Sequence, residues 1–166
     1  AFTSNDRWLR RRVDKFELNE LNYKLKDFKI IQVNSNRCEI VTVINCEAEE
    51  ESGFIHTCKY TIFSNGIILI KNNVMPYGKI DVLPKLGLTM AMDGKYDNLT
   101  WYGRGPWESY VDRKECCDIG LYCGKVSEQY VPYVVPQETG NKTDVRYAAL
   151  TDEKGKGVLF VCDEPL

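Results

Sequence analysis

The sequence predicts an all-β fold, an antiparallel β-sandwich, and three observations carry that prediction. From Phe28 onward, short runs of β-branched and aromatic residues recur at a spacing of roughly 8 to 12 residues, each closed by turn residues. Asn65 and Gly66 stand between two such runs, and both tolerate the positive φ that a tight hairpin turn requires. Several runs are apolar at most positions instead of alternating, as at Ile40, Val41, Val43 and Ile44, so both faces of at least one sheet are expected to be covered.

Taken in order, residues 14–25 place Phe16, Leu21 and Leu25 loosely at helical spacing behind Asp14 as an N-cap, which predicts a short helix. Strands follow at FKIIQVN (28–34), CEIVTVINC (38–46), FIHTCKYTIF (54–63) and GIILIKNNV (66–74). Residues 73–85, NVMPYGKIDVLPK, hold two prolines, a glycine and little alternation, and read as a long loop. Connections of that length are uncommon without a function, so Met75, Pro76, Tyr77, Lys79, Asp81, Pro84 and Lys85 become candidates for lining a site. LGLTMAM (86–92), LTWYG (99–103), DVRYAALTD (144–152) and GVLFVCD (157–163) read as further strands, with a turn at DEKGKG (152–157) between the last two.

Composition narrows the function. A formal net charge of -2 gives no general attraction to nucleic acid, and the basic cluster of Arg7 with Arg10, Arg11 and Arg12 is followed at once by Asp14, Glu17 and Glu20. No apolar run approaches the ~18 residues of a membrane-spanning helix. The seven cysteines follow no zinc-ribbon or zinc-finger spacing, and with His56 as the single histidine the expectation is no metal site and buried free thiols, Cys116 and Cys117 being poorly placed to pair. The opening residues lack the basic-then-apolar layout of a signal peptide, which leaves the compartment open.

The densest chemistry lies in WYGRGPWESYVDRK (101–114). Gly103, Gly105 and Pro106 turn the backbone sharply after a strand and present Trp107, Glu108, Tyr110, Asp112 and Arg113. Aromatic faces beside carboxylates and guanidinium groups suit sugar recognition, the ring packing on C–H faces while charged groups hydrogen-bond hydroxyls. The structural alternative is that Arg104, Glu108, Asp112 and Arg113 pair among themselves to hold an irregular loop. Downstream, YVPYVVPQETGNKTDVRY (130–147) repeats the flavour, with Glu138 as a second carboxylate that would make a glycosidase pair with Glu108 if the separation were right.

These two segments, from Gly103, Arg104, Gly105, Pro106, Glu108, Tyr110, Asp112 and Arg113, through Gly120 and Tyr122, to Pro132, Tyr133, Pro136, Gln137, Glu138, Gly140, Asn141 and Arg146, resemble the C-terminal small-chain domain of the large bacterial β-galactosidases, glycoside hydrolase family 2. The opening AFTSND and VLPKLGL (82–88) extend the resemblance over nearly the whole chain. Trp107, Ser109, Val111 and Tyr147 depart from the family pattern. The resemblance implies a galactose-mutarotase-like supersandwich, of which residues 1–166 form a single partial domain, the N-terminal portion. It implies a bacterial source, in the cytoplasm or periplasm. It also implies retaining hydrolysis of terminal non-reducing β-D-galactose by two glutamates in a separate (β/α)8 barrel, where Mg²⁺, with Na⁺ as a second expected ion, assists. No catalytic residue and no cofactor fall to this chain, and none of Trp8, Trp101 or Trp107 matches the family's substrate-stacking tryptophan. Its part is structural support and a loop near the active site, matched here by 73–85. The partners so implied are the other domains of the parent enzyme, its β-galactoside substrate, and a second copy of the chain wherever sheet edges are left open.

Two other functions are compatible with the residues. A free-standing carbohydrate-binding sandwich would use Trp101, Trp107 and neighbouring aromatics. An aldose epimerase would share the sandwich type, but such enzymes lean on histidines as well as a carboxylate, and His56 lies alone in a predicted strand.

Overall fold

The computed structural model describes residues 7–164 apart from 17, 19, 50, 81, 82, 84 and 136. The chain divides into two compact units, one over residues 2–87 and one over residues 88–166 together with residue 1. Each unit carries one four-stranded antiparallel sheet, in agreement with the predicted all-β class and with the open sheets of a β-sandwich. Among the described residues no helix is long and apolar enough to cross a membrane.

The first unit opens with helix α1 (Arg7–Phe16) and continues as an up-and-down meander in the order β1 (Asn22–Asn34), β2 (Arg37–Glu47), β3 (Gly53–Phe63) and β4 (Ile68–Tyr77). The helix ends where the sequence reading starts it. Residues 22–25, expected to be helical, are strand instead, because Tyr23 and Leu25 pair with Cys46 and Ile44 across an antiparallel ladder. The ladder's hydrogen bonds outweigh a loose helical spacing that has few residues to sustain it. Val13 and Phe16 bury the inner side of the helix, and the Glu49 N–H donates to the Phe16 carbonyl at 3.1 Å, tying its end to the loop after β2.

The four strands predicted between residues 28 and 74 and the Asn-Gly hairpin are observed. Gly66 has φ 88°, the Phe63 N–H donates to the Ile67 carbonyl at 2.9 Å, and Asn65 Oδ1 accepts from the Ile67 N–H at 3.1 Å. Ile40, Val41, Val43 and Ile44 of β2 are half-buried, and the outer strands β1 and β4 are exposed along most of their length. His56 lies on β3, and its Nε2 is 2.8 Å from Asn72 Oδ1 on β4, a cross-strand partner that accounts for the single histidine.

The second unit has strand order β6-β5-β7-β8, from β5 (Asn98–Gly105), β6 (Asp118–Lys125), β7 (Tyr147–Thr151) and β8 (Gly157–Val161). The turn at 152–157 is observed, with Gly155 at φ 75° and Asp152 Oδ1 accepting from the Lys154 and Lys156 N–H groups at 2.8 and 2.9 Å. The strand expected at 86–92 is absent, and the segment has no ladder partner among the described residues, with Leu86, Leu88 and Met90 exposed. β6 was not foreseen, since Asp118, Gly120 and Gly124 lower its β-propensity. Its register sets Gly120 opposite Gly103, and the Tyr122 ring fills the space that Gly120 leaves open: a Cβ on Gly120 would lie 3.1 Å from its Cζ.

Candidate functional site

β5 delivers the Gly-Arg-Gly-Pro segment to the end of the second sheet, where the chain turns through a cis Gly105–Pro106 bond into residues 106–117. The two glycines are there for space. A Cβ on Gly103 would lie 2.9 Å from the Val145 Cα, and one on Gly105 would lie 2.6 Å from the Tyr122 ring. Trp101, 2% exposed, packs on Tyr122 with ring centroids 5.5 Å apart and donates its Nε1–H to the Arg104 carbonyl at 2.9 Å.

Arg104 joins three backbone segments. Its Nε donates to Asp144 Oδ2, and its Nη1 donates to the carbonyls of Cys117 at 2.8 Å and Lys114 at 3.2 Å. Lys114 Nζ is 3.3 Å from Asp144 Oδ1, so one carboxylate carries two cations. The hydrogen bond from Arg104, and then those from Lys114, hold the Asp144 carboxyl below the usual carboxylate range. Asp144 itself sits at φ 53°, a left-handed conformation that aspartate tolerates better than most residues, and its carbonyl accepts from Arg146 Nη1 at 2.5 Å.

A second node forms around Glu108, whose side chain is one-tenth exposed. Oε1 accepts from Arg113 Nη2 at 2.8 Å and from the Tyr133 hydroxyl, and Oε2 accepts from the Gly140 N–H at 2.8 Å. Burial pushes the Glu108 carboxyl up, but Tyr133, Gly140 and Arg113 together outweigh it and hold the group below its ordinary value. The Arg113 guanidinium also lies over the Tyr110 ring, 5.0 Å from its centroid, and donates to the Tyr133 hydroxyl at 3.0 Å. The Tyr110 hydroxyl donates to the Glu138 carbonyl at 3.0 Å.

Between the nodes the loop is stitched to residues 141–143. The Ser109 N–H donates to the Asn141 carbonyl at 2.8 Å, and Asn141 Nδ2 donates back to the Ser109 carbonyl at 2.7 Å. Ser109 Oγ, fully buried, is 2.9 Å from Thr143 Oγ1 and accepts from the Thr143 N–H at 3.0 Å. Lys142 places its Nζ over the Trp101 ring, 4.9 Å from the centroid, and burial lowers its ammonium below the usual lysine range.

The two sequence segments therefore come together as one network. The expected quartet is corrected in two respects: Glu108 does pair with Arg113, but the partner of Arg104 is Asp144, and Asp112 lies exposed in the turn outside the network. Pro132, Gln137 and Glu138 are exposed, and Pro136 lies outside the described residues. Glu108 clamps the two segments together, since its oxygens accept from Arg113, Tyr133 and Gly140. Asp144, Lys114, Ser109 and Thr143 escaped the sequence reading. Their one signal is their place inside the two motif segments, because the pairings span ten to forty residues.

The expected loop at 73–85 begins later than predicted. Met75, Pro76 and Tyr77 belong to β4, where they pair with Ile55, Phe54 and Gly53. β4 is an outer strand, and such a strand accommodates Pro76. Irregular chain starts at Gly78, φ 78°, where the Lys79 N–H donates to the buried Ser52 Oγ at 3.2 Å. Lys85 is described and Asp81 and Pro84 lie outside the described residues. Nor are the thiols uniformly buried, as Cys116 and Cys123 are exposed. Among the described residues no group of three or more His, Cys, Asp or Glu side chains comes together that would fit a metal ion.

Residues 1–163 match the family described as β-galactosidase small chain. The chain belongs to that family. It is 44% identical to a β-galactosidase of Priestia megaterium over 101 residues, 61% of this chain and 10% of the relative. It is 37% identical to the β-galactosidase of Lactobacillus delbrueckii subsp. bulgaricus over 133 residues, 72% of this chain and 13% of the relative. With the β-galactosidase of Kluyveromyces lactis it shares 39% identity over 116 residues, 68% of this chain and 11% of the relative. The small-chain sequence thus spans about a tenth of the length of the curated relatives it matches. Both nodes of the network, on Asp144 and on Glu108, lie within the stretch that matches the small-chain family.

Proposed function

We propose that this small-chain sequence is a non-catalytic domain of a β-galactosidase that hydrolyses terminal non-reducing β-D-galactose residues by a retaining mechanism. Two glutamates of a separate barrel domain perform the chemistry, and Mg²⁺ and Na⁺ act there. The chain supplies structural support, and the irregular segment that starts at Gly78 flanks the active site. The observation that carries this reading is the commitment of Glu108 to Tyr133, Gly140 and Arg113, which leaves the best-placed carboxylate of the motif without a free oxygen for proton transfer. Membership of the small-chain family supports the rest. The test is hydrolysis of nitrophenyl β-galactoside in a host lacking its own β-galactosidase. The isolated chain is expected to give no turnover while the full-length enzyme is active, and turnover by the chain alone overturns the reading.

The other domains of the parent are its partners in this reading. Tyr23, Leu25, Phe28 and Ile30 on β1 and Ile68, Leu69, Ile70 and Met75 on β4 are exposed apolar residues on outer strands. Without those domains such edges favour association with a second copy. Light scattering that finds a clean monomer at high concentration overturns that part alone.

One observation favours a second reading, a carbohydrate-binding surface. Trp107 is 71% exposed, whereas Trp101 is buried beneath Tyr122 and Lys142. Saturable binding of galactosides by the isolated chain, lost in Trp107→Ala, is the result that this reading requires.

A further inference from the structure

Cys116 and Cys117 differ sharply in setting although they are neighbours in sequence. Cys116 is exposed, Cys117 is 0% exposed, and their Sγ atoms are 3.8 Å apart. The Cys117 thiol points into the loop, where it donates to the Glu108 carbonyl at 3.6 Å and lies 3.9 Å from the Trp107 carbonyl. Its own carbonyl accepts from Arg104 at 2.8 Å. Cys117 is thus a buried contact for the backbone that presents Trp107 and Glu108, and an exposed thiol stands beside it.

We propose that Cys116 and Cys117 form a peroxide-sensitive modification site, Cys116 being the attacking thiol and Cys117 the resolving one. The Cys116 thiolate attacks a hydroperoxide, the O–O bond breaks, and the sulfur leaves as sulfenic acid while the alcohol, or water from hydrogen peroxide, departs. The Cys117 sulfur then attacks the sulfenic sulfur, its proton leaving with the hydroxyl as a second water, and a vicinal disulfide forms. Two thiols are oxidised and one peroxide is reduced. The order follows from access, since peroxide reaches Cys116 and not Cys117, whereas the sulfenic acid is generated next to the buried sulfur.

The consequence falls on the loop. Closing the bond draws the Cys117 sulfur outward and removes the S–H donor from the Trp107–Glu108 backbone. Adjacent Cα atoms are ~3.8 Å apart, below the ~4.4 Å at which unstrained disulfides begin, so a bond between neighbours is readily reduced and the modification is reversible by thiols.

The experiment treats the whole chain with hydrogen peroxide, alkylates the remaining thiols, digests with trypsin and reads the peptide 115–125 by fragmentation mass spectrometry. That peptide also contains Cys123, so the Cys123→Ser chain is run in parallel. The expected result is loss of two hydrogens mapped to Cys116 and Cys117 in both chains, reversed by dithiothreitol. Cys117→Ser is expected to yield a dimedone adduct at Cys116, and Cys116→Ser to leave Cys117 reduced. Should Cys117→Ser fail to fold, the Cys116→Ser chain, altered at an exposed position, still decides. A disulfide from Cys116 to Cys123, overoxidation of Cys116 with Cys117 still a thiol, or oxidation of Cys117 without Cys116 overturns the proposal.

Discussion

The Glu108 carboxylate accepts the Gly140 backbone N–H at 2.8 Å across 32 residues of sequence. Gly140 stands at φ 77°, and a Cβ there would lie 2.6 Å from the Gln129 carbonyl oxygen, so the N–H reaches Glu108 from a position that only glycine occupies without strain. This bond, with Tyr133 and Arg113 on the other oxygen, joins the two motif segments into one body.

Glu108→Gln is expected to destabilise the second unit by about 1–3 kcal/mol, because the new amide turns an N–H toward a donor that had a carboxylate oxygen. Urea unfolding checks the size. A midpoint unchanged from the natural chain would mean that the network contributes little.

Tyr133→Phe tests the same node from the other side. The hydroxyl is the largest of the influences that lower the Glu108 carboxyl, so its removal is expected to move that group up toward its ordinary range. A carboxyl-resolved NMR titration reads this directly. No shift would show that Arg113 and Gly140 suffice.

The pH dependence follows from the two depressed carboxyls. Glu108 and Asp144 both titrate lower when folded, so at acid pH the unfolded chain binds more protons and stability rises with pH. Their contribution is complete above the ordinary carboxylate range of about 4 and is lost as pH falls through the lower folded values. Unfolding midpoints measured from pH 7 down to pH 3 are expected to fall, and to fall less steeply in Glu108→Gln and Asp144→Asn.

Gly103→Ala and Gly94→Ala form a matched pair. The first places a Cβ against the Val145 backbone and is expected to cost about 1–3 kcal/mol, as overpacking does. The second meets nothing within 4 Å and has no positive φ, so it is expected to be neutral or to stabilise by up to about 1 kcal/mol. Equal effects in thermal melts would refute the packing account of the motif glycine.

Trp107→Ala separates stability from recognition. At 71% exposure the side chain is expected to change unfolding free energy by no more than about 0.5 kcal/mol. Calorimetry with galactosides then reads whether its exposed ring binds sugar.

Much of this protein was legible in the sequence for physical reasons. β-branched runs and the Asn65-Gly66 turn express local preferences, so β2, β3, β4 and their hairpin were readable without tertiary context, and the motif glycines and aromatics carried the family. Local preference misled where a ladder overruled it, as at residues 22–25 and at Met75, Pro76 and Tyr77. It failed where strand formation depended on a neighbour, as in glycine-bearing β6 beside β5. What only the tertiary structure decided is which charges meet. Arg104 meets Asp144 instead of the carboxylates beside it, and Glu108 meets Tyr133 and Gly140, because partners are set by chain segments that the sheet brings together and not by distance along the sequence.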